Sequence, residues 1–85
     1  MEINAYTLMG CSHCRTLREL FKRANTEYTE IVVKRDITLD NFSELYPNIN
    51  MFPFVVIDGE EIGGLIEVVK LFVAKGLVSS AKKSS

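Results

Sequence analysis

Apolar and polar positions change period several times along this chain, and the changes mark its elements. "EINAYTL" offers Ile3, Ala5 and Tyr6 to a core with polar residues between some of them, which reads as a short strand ended by Gly10. From Cys11 the period lengthens. Cys14, Leu17, Phe21 and Ala24 return at helical spacing and Leu20 widens the apolar face, while Arg15, Arg18, Glu19, Lys22 and Arg23 take the wetter side. The spacing predicts a helix from about Ser12 to about Ala24. "YTEIVV" at 28–33 is rich in strand-favouring residues and "KRD" closes it. "ITLDNFSELYP" then predicts a short helix capped by Thr38 or Asp40, which turns Leu39, Phe42 and Leu45 or Tyr46 inward and stops before Pro47.

The second half begins with a buried strand, Phe54 to Ile57. Asp58-Gly59 supplies a turn, and Glu60 to Gly63 return as a second strand of a hairpin. Val68, Val69, Phe72 and Val73 follow on one helical face from Leu65, and Gly76 after Lys75 ends that helix. The order is strand, helix, strand, short helix, strand, strand, helix. A parallel strand-helix-strand unit joined to an antiparallel hairpin gives an α/β fold, a four-stranded mixed sheet flanked by three helices in the thioredoxin-like arrangement. One domain is expected over residues 1–78, with "SSAKKSS" at 79–85 as a flexible C-terminal tail too poor in apolar residues to require packing.

Composition narrows the classes of function. The 85 residues fit one domain, and 47% apolar content is enough for a core. Ten Lys and Arg against eleven Asp and Glu give a formal charge of -1, and no basic stretch is interleaved with stacking aromatics, so a nucleic-acid surface is not expected. No apolar run reaches the roughly 20 residues that span a bilayer, and "MEINAYTL" lacks the basic start and apolar core of a secretory signal. A soluble cytoplasmic protein is the expectation. In a reducing compartment two cysteines argue against a disulfide scaffold and for electron exchange or metal binding.

Those two cysteines stand three positions apart in "MGCSHCRTL". A pair of inert thiols, a zinc knuckle and a redox couple all use that spacing. Zinc normally takes four protein ligands, and the chain supplies only Cys11, Cys14 and the adjacent His13 as soft or imidazole donors. A redox couple uses the position directly. Cys11 at the entrance of the first helix meets free amides and the positive end of the helix dipole, which favour a thiolate, and Cys14 one turn inside is near enough to resolve a mixed disulfide. Cys11 is the nucleophile expected from that placement, because attack needs exposure whereas resolution tolerates burial. His13 reads as an exposed intervening residue that shapes contacts and potential. Phe21, Phe42 and Phe72 read as core. Phe52-Pro53 borders a groove, and Gly63-Gly64 would admit an extended peptide close to the last helix.

Over nearly its full length the chain resembles a dithiol glutaredoxin. The resemblance is carried by "YTLMGCSHC", by "MFPFVVIDGEEIGG", and by the distance and element order between them. It implies reduction of protein disulfides and glutathione mixed disulfides, with glutathione as the reducing cosubstrate, Cys11 attacking and Cys14 resolving. It implies a cis Phe52-Pro53 bond and a glutathione groove formed by Met51, Phe52, Pro53, Gly64, Leu65, Ile66 and Glu67. No metal is needed for that cycle. Glutathionylated or oxidised proteins, ribonucleotide reductase among them, are the implied partners of a monomer. The chain departs from the family's familiar pattern at four places. Ser12-His13 replaces a proline-tyrosine pair, Leu8 stands where a basic residue is common, Met51 where threonine is frequent, and Ile66 where a polar residue is usual. Arg15 is a candidate replacement for the missing basic residue. Two alternatives stay open: a 2Fe-2S cluster held between two copies by Cys11 and glutathione, favoured by Ser12, and thioredoxin-like use of a dedicated reductase.

Overall fold

Alternation in the first strand sends its side chains to two different cores. In the computed structural model, which describes residues 1–78, β1 spans Ile3–Thr7 with Ile3, Ala5 and Thr7 buried on one face. Tyr6 lies on the other face, among Phe42, Tyr46 and Phe54. The tail expected at 79–85 lies outside the described residues.

The remaining elements follow the predicted order: α1 Ser12–Arg23, β2 Thr29–Val32, α2 Leu39–Leu45, β3 Phe54–Ile57, β4 Glu60–Gly63 and α3 Leu65–Ala74. The sheet order is β2-β1-β3-β4. β1 pairs parallel with β2 and antiparallel with β3, and β3 pairs antiparallel with β4. This is the mixed four-stranded sheet of a thioredoxin-like fold. The β3–β4 turn has positive φ at both Asp58 (53°) and Gly59 (83°), the conformation a two-residue hairpin loop needs to match strand twist.

The first core forms on the face covered by α1 and α3. Leu17 and Phe21 from α1 meet Ile3, Ala5, Val55 and Ile57 of the sheet and Val68 and Phe72 of α3. Phe21 is its centre, with ring centroids 4.4 Å from Tyr28 and 5.6 Å from Phe72. A fully buried side chain of this kind contributes on the order of 1.5–3 kcal/mol by transfer alone. The α3 stripe is narrower than its sequence suggests: Val68 and Phe72 are buried, whereas Val69 and Val73 are only partly covered.

The second core lies on the opposite face under α2, where Val33, Phe42, Phe54 and Val56 are joined by Tyr6, Leu8 and Tyr46. Thr38 is the cap, its hydroxyl accepting the Asn41 amide at 3.1 Å; Asp40 sits inside the helix. One expected core residue is corrected: Leu39 is 44% exposed. Of the pair Leu45 or Tyr46 it is Tyr46 that packs, and Leu45 is 59% exposed. A helix of seven residues cannot lay a full apolar stripe on the sheet, so only Phe42 and Tyr46, four positions apart, reach the aromatic cluster.

One polar chain ties α1 to the sheet. Arg18 lies on the expected wet side but is half-buried, its Nε 3.0 Å and its Nη2 2.7 Å from Glu30 Oε2 in β2. Thr7 donates its hydroxyl to the same carboxylate oxygen at 2.7 Å. The guanidinium, with the Thr7 hydroxyl in support, holds the Glu30 carboxyl below the usual carboxylate range. A carboxylate depressed in the folded state stabilises the protein above its unfolded pKa, and that contribution disappears as pH falls through the folded value. Acid unfolding should therefore separate wild type from Glu30→Gln at neutral pH and bring the two curves together toward the acid end. A constant stability difference between them across the acid range would contradict this role.

Candidate functional site

The β1–α1 junction sets the two thiols in unequal environments. β1 ends at Thr7, the chain turns through Leu8, Met9 and Gly10, and Cys11 takes extended dihedrals (φ -86°, ψ 118°) as the N-cap of α1. Its Sγ accepts the Cys14 amide at 3.2 Å, filling the place of the oxygen that usually caps a helix. Cys11 is partly exposed. Cys14 opens the buried stripe of α1 and is 0% exposed. Burial, helped by the hydrogen bond with the Cys11 sulfur, pushes the Cys14 thiol up to about 12; the Arg18 charge on the next turn acts in the opposite direction but more weakly.

The loop before β3 supplies the other wall. The Phe52-Pro53 peptide is cis. The Phe52 carbonyl oxygen lies 3.9 Å from Cys11 Sγ, a contact longer than a strong hydrogen bond. Pro53 is buried, and Phe52 is anchored against Phe42 with ring centroids 5.1 Å apart.

A groove of about 500 Å³ opens between this loop and the start of α3. All seven residues expected to form a binding groove, Met51, Phe52, Pro53, Gly64, Leu65, Ile66 and Glu67, line it. His13, exposed in the cysteine loop, lines its near end. Leu8 belongs to the second core, and Arg15, though exposed, is not among the lining residues. The segment Asn48, Ile49 and Asn50 lines the groove without having been expected there. Its signal in the sequence was the Pro47-Asn48 turn, followed only by Ile49 and Asn50 before Met51, which makes 48–50 the approach to the Phe52-Pro53 wall.

Glu67 has a second task that its position in the sequence only partly suggests. As the third residue of α3 it turns back, and its Oε1 accepts the Gly64 amide at 2.9 Å, half of a capping box. Gly63 makes room for it. With φ at +128° and the Glu67 Cγ 2.9 Å from where a Cβ would stand, a side chain at position 63 would meet both backbone strain and collision. Among the described residues no group of three His, Cys, Asp or Glu side chains converges on a common metal position.

A thiol at a helix N-cap, a buried second thiol one turn on, and the Phe52-Pro53 wall meet at one end of the sheet of a thioredoxin-like fold. A family profile described as Glutaredoxin matches residues 3–62. The chain belongs to the glutaredoxin family. The match ends just before Gly63, Gly64 and Glu67. Among solved structures, glutaredoxin 1 from Francisella tularensis, complexed with cacodylate, is similar with a TM-score of 0.69 and 26% identity over 89% of this chain and 95% of that one. The thioredoxin-like protein BC3987 is 30% identical, with a TM-score of 0.65, over 89% of this chain and 99% of that one. A buckwheat glutaredoxin-glutathione complex has the same fold at 20% identity and a TM-score of 0.68, over 88% of this chain and 70% of that one. Comparison with curated proteins finds no match.

The unequal thiols can be told apart chemically. Brief treatment of the reduced native protein with iodoacetamide at neutral pH should add one label, on Cys11, and a second should appear on Cys14 only in denaturant. Peptide mapping by mass spectrometry reads this directly. Equal labelling of both cysteines in the native state would contradict the buried, neutral Cys14 thiol.

Proposed function

We propose that the chain is a dithiol oxidoreductase that reduces protein disulfides and glutathione mixed disulfides with glutathione as electron donor. The observation that carries the reading is the contrast between the accessible sulfur of Cys11 at the helix cap and the fully buried Cys14 only one turn away. The Cys11 sulfur attacks one sulfur of a substrate disulfide, the substrate S–S bond breaks, and the leaving thiolate takes a proton from solvent. Cys14 then loses its proton and attacks the Cys11 sulfur of the mixed disulfide, which releases the second substrate thiol and leaves a Cys11–Cys14 disulfide. Two glutathione molecules return the pair to dithiols and leave as glutathione disulfide. For a glutathionylated protein, Cys11 takes the glutathionyl group and one further glutathione removes it, with no need for Cys14.

The buried wall of Pro53, the Phe52 carbonyl near Cys11 and the groove beyond them support an extended thiol peptide as the ligand. Likeness to the buckwheat glutaredoxin-glutathione complex adds to that support at the level of the fold. Cytoplasmic oxidised proteins, ribonucleotide reductase among them, are the proposed substrates of a monomer.

A second reading, reduction by a dedicated reductase in the manner of thioredoxins, is favoured by the groove lining, which among the described residues includes no Lys or Arg to meet glutathione carboxylates. The 30% identity with a thioredoxin-like protein points the same way. Turnover supported by glutathione with glutathione reductase, but not by thioredoxin reductase, is the expected result; the reverse would establish the second reading. An iron-sulfur form is the alternative within the family. Each chain offers one accessible thiol, Cys11, while Cys14 is sealed in the core, so an all-thiolate cluster would need two copies and two external thiols. Anaerobic reconstitution that leaves the folded protein without iron and sulfide would remove that alternative.

The assignment of roles predicts asymmetric loss. Cys11→Ser should lower turnover of both substrate types by about 10²-fold or more, since the variant lacks an accessible nucleophile. Cys14→Ser should keep most deglutathionylation while losing most protein-disulfide turnover. Robust activity of Cys11→Ser toward either substrate would overturn the assignment.

A further inference from the structure

Cys14 is buried, so any step that uses it must make a sulfur anion where water does not reach. The cost of that anion depends on the groups that face it. From its own helix these are the Cys11 sulfur at the cap and Arg18, four residues on, a spacing that brings Cβ atoms to roughly 5–6 Å. The loop after β1 adds the Leu8 backbone amide, which favours the thiolate by hydrogen bonding. β3 and α3 meet this side of α1 with Val55, Ile57, Val68 and Phe72, none of them charged. His13 and Arg15, on either side of Cys14 in the chain, are exposed.

Among the described residues Arg18 is the one full positive charge that acts on Cys14. Its guanidinium is not free to swing into solvent. Nε and Nη2 both donate to Glu30 of β2, at 3.0 and 2.7 Å, and the Glu30 carboxylate is held in turn by the buried Thr7 hydroxyl of β1. Tyr28, whose phenol burial keeps neutral well into the alkaline range, borders the same ion pair. A solvated arginine on a helix face is screened and mobile; one pinned across a sheet keeps its charge in one place.

Resting on the reading of the two cysteines as a dithiol exchanger, we infer that Arg18 is a positioning residue of the resolving step: Glu30 and Thr7 hold its guanidinium on the Cys14 side of α1, where its charge favours the sulfur anion that attacks Cys11. In that step the Cys14 S–H bond breaks, the Cys14–Cys11 S–S bond forms, the bond between Cys11 and the substrate sulfur breaks, and the proton ends on the departing substrate thiol. Glu30 limits the effect as well as placing it, because its own negative charge opposes a second anion nearby.

The test uses the reduced full chain and a symmetrical aromatic disulfide that releases a coloured thiolate, followed by stopped flow. Attack by Cys11 releases the first thiolate and attack by Cys14 on the mixed disulfide releases the second, so the two phases report the two steps separately. Arg18→Gln should lower the second rate relative to the first about three- to tenfold at neutral pH, the size of one partly screened charge at this spacing, and displace its pH curve to higher pH. Arg18→Lys keeps the charge and should recover most of the loss. Glu30→Gln breaks the same ion pair but keeps an acceptor for Arg18, and should displace the curve to lower pH. Opposite displacements separate charge from structure, because both variants lose the same bridge. No displacement in Arg18→Gln, a displacement of Glu30→Gln in the same direction, or an Arg18→Lys variant as slow as Arg18→Gln would overturn the inference. If wild type releases no second thiolate, the dithiol reading fails, while titration of Cys14 followed by its Cβ chemical shift still decides the charge effect: a later onset in Arg18→Gln supports it and an unchanged onset refutes it.

Discussion

The fold and the chemistry share one constraint: Cys14 is the first residue of the stripe by which α1 packs on the sheet. Cys14, Leu17 and Phe21 recur at helical spacing and are all buried, so seating α1 on β1 and β3 necessarily draws the second thiol into the interior. Cys11, three residues earlier, falls outside the helix and becomes its cap. The same packing that supplies core stability therefore raises the Cys14 pKa and leaves Cys11 at the surface. Two chemically identical side chains acquire different environments without any special group between them. Arg18, the next residue on the helix face beside Cys14, is held by Glu30, whose carboxylate also accepts the Thr7 hydroxyl, which ties this turn of α1 to both β2 and β1.

The second half of the chain completes the site from a distance of some forty residues. β3 lies beside β1, so the loop that enters β3 ends next to the loop that leaves β1, and the Phe52 carbonyl meets the Cys11 sulfur there. The hairpin returns through Gly63 into α3, whose first turn forms the far wall. Aromatic packing under α2 fixes the near wall, because Phe52 rests on Phe42 and Phe42 on Tyr6. A change in the second core would thus be felt at the site through Phe52.

Much of this was legible in the sequence because each element has a different period or a strong boundary. The α1 stripe, the Asp58-Gly59 turn and the Phe54–Ile57 run required no tertiary information, and each element lies within a residue or two of its expected bounds. The α2 helix was less legible. Leu39 and Leu45 are apolar, but whether they are buried depends on how much of a seven-residue helix touches the sheet, which only the aromatic cluster beneath it decides. Thr7 and Arg18 were hidden for a related reason. Their partner Glu30 is distant in sequence, and a polar side chain in a strand or on a helix face carries no local mark of being paired across the sheet edge. The groove residues came from resemblance and not from periodicity, and the Gly64–Glu67 contact needed the α3 start to be fixed to the residue.

On the proposed mechanism, the seating of α1 makes Cys11 the attacking thiol and Cys14 the resolving one. The most direct test of that assignment is the identity of the covalent intermediate: Cys14→Ser is mixed with a protein disulfide, the reaction is quenched with acid, and the adduct is mapped by mass spectrometry. One mixed disulfide per chain is expected, attached at Cys11, with no adduct on Cys14 when Cys11→Ser is treated in the same way. An adduct on Cys14 of folded Cys11→Ser, formed at a rate comparable to that on Cys11, would contradict it.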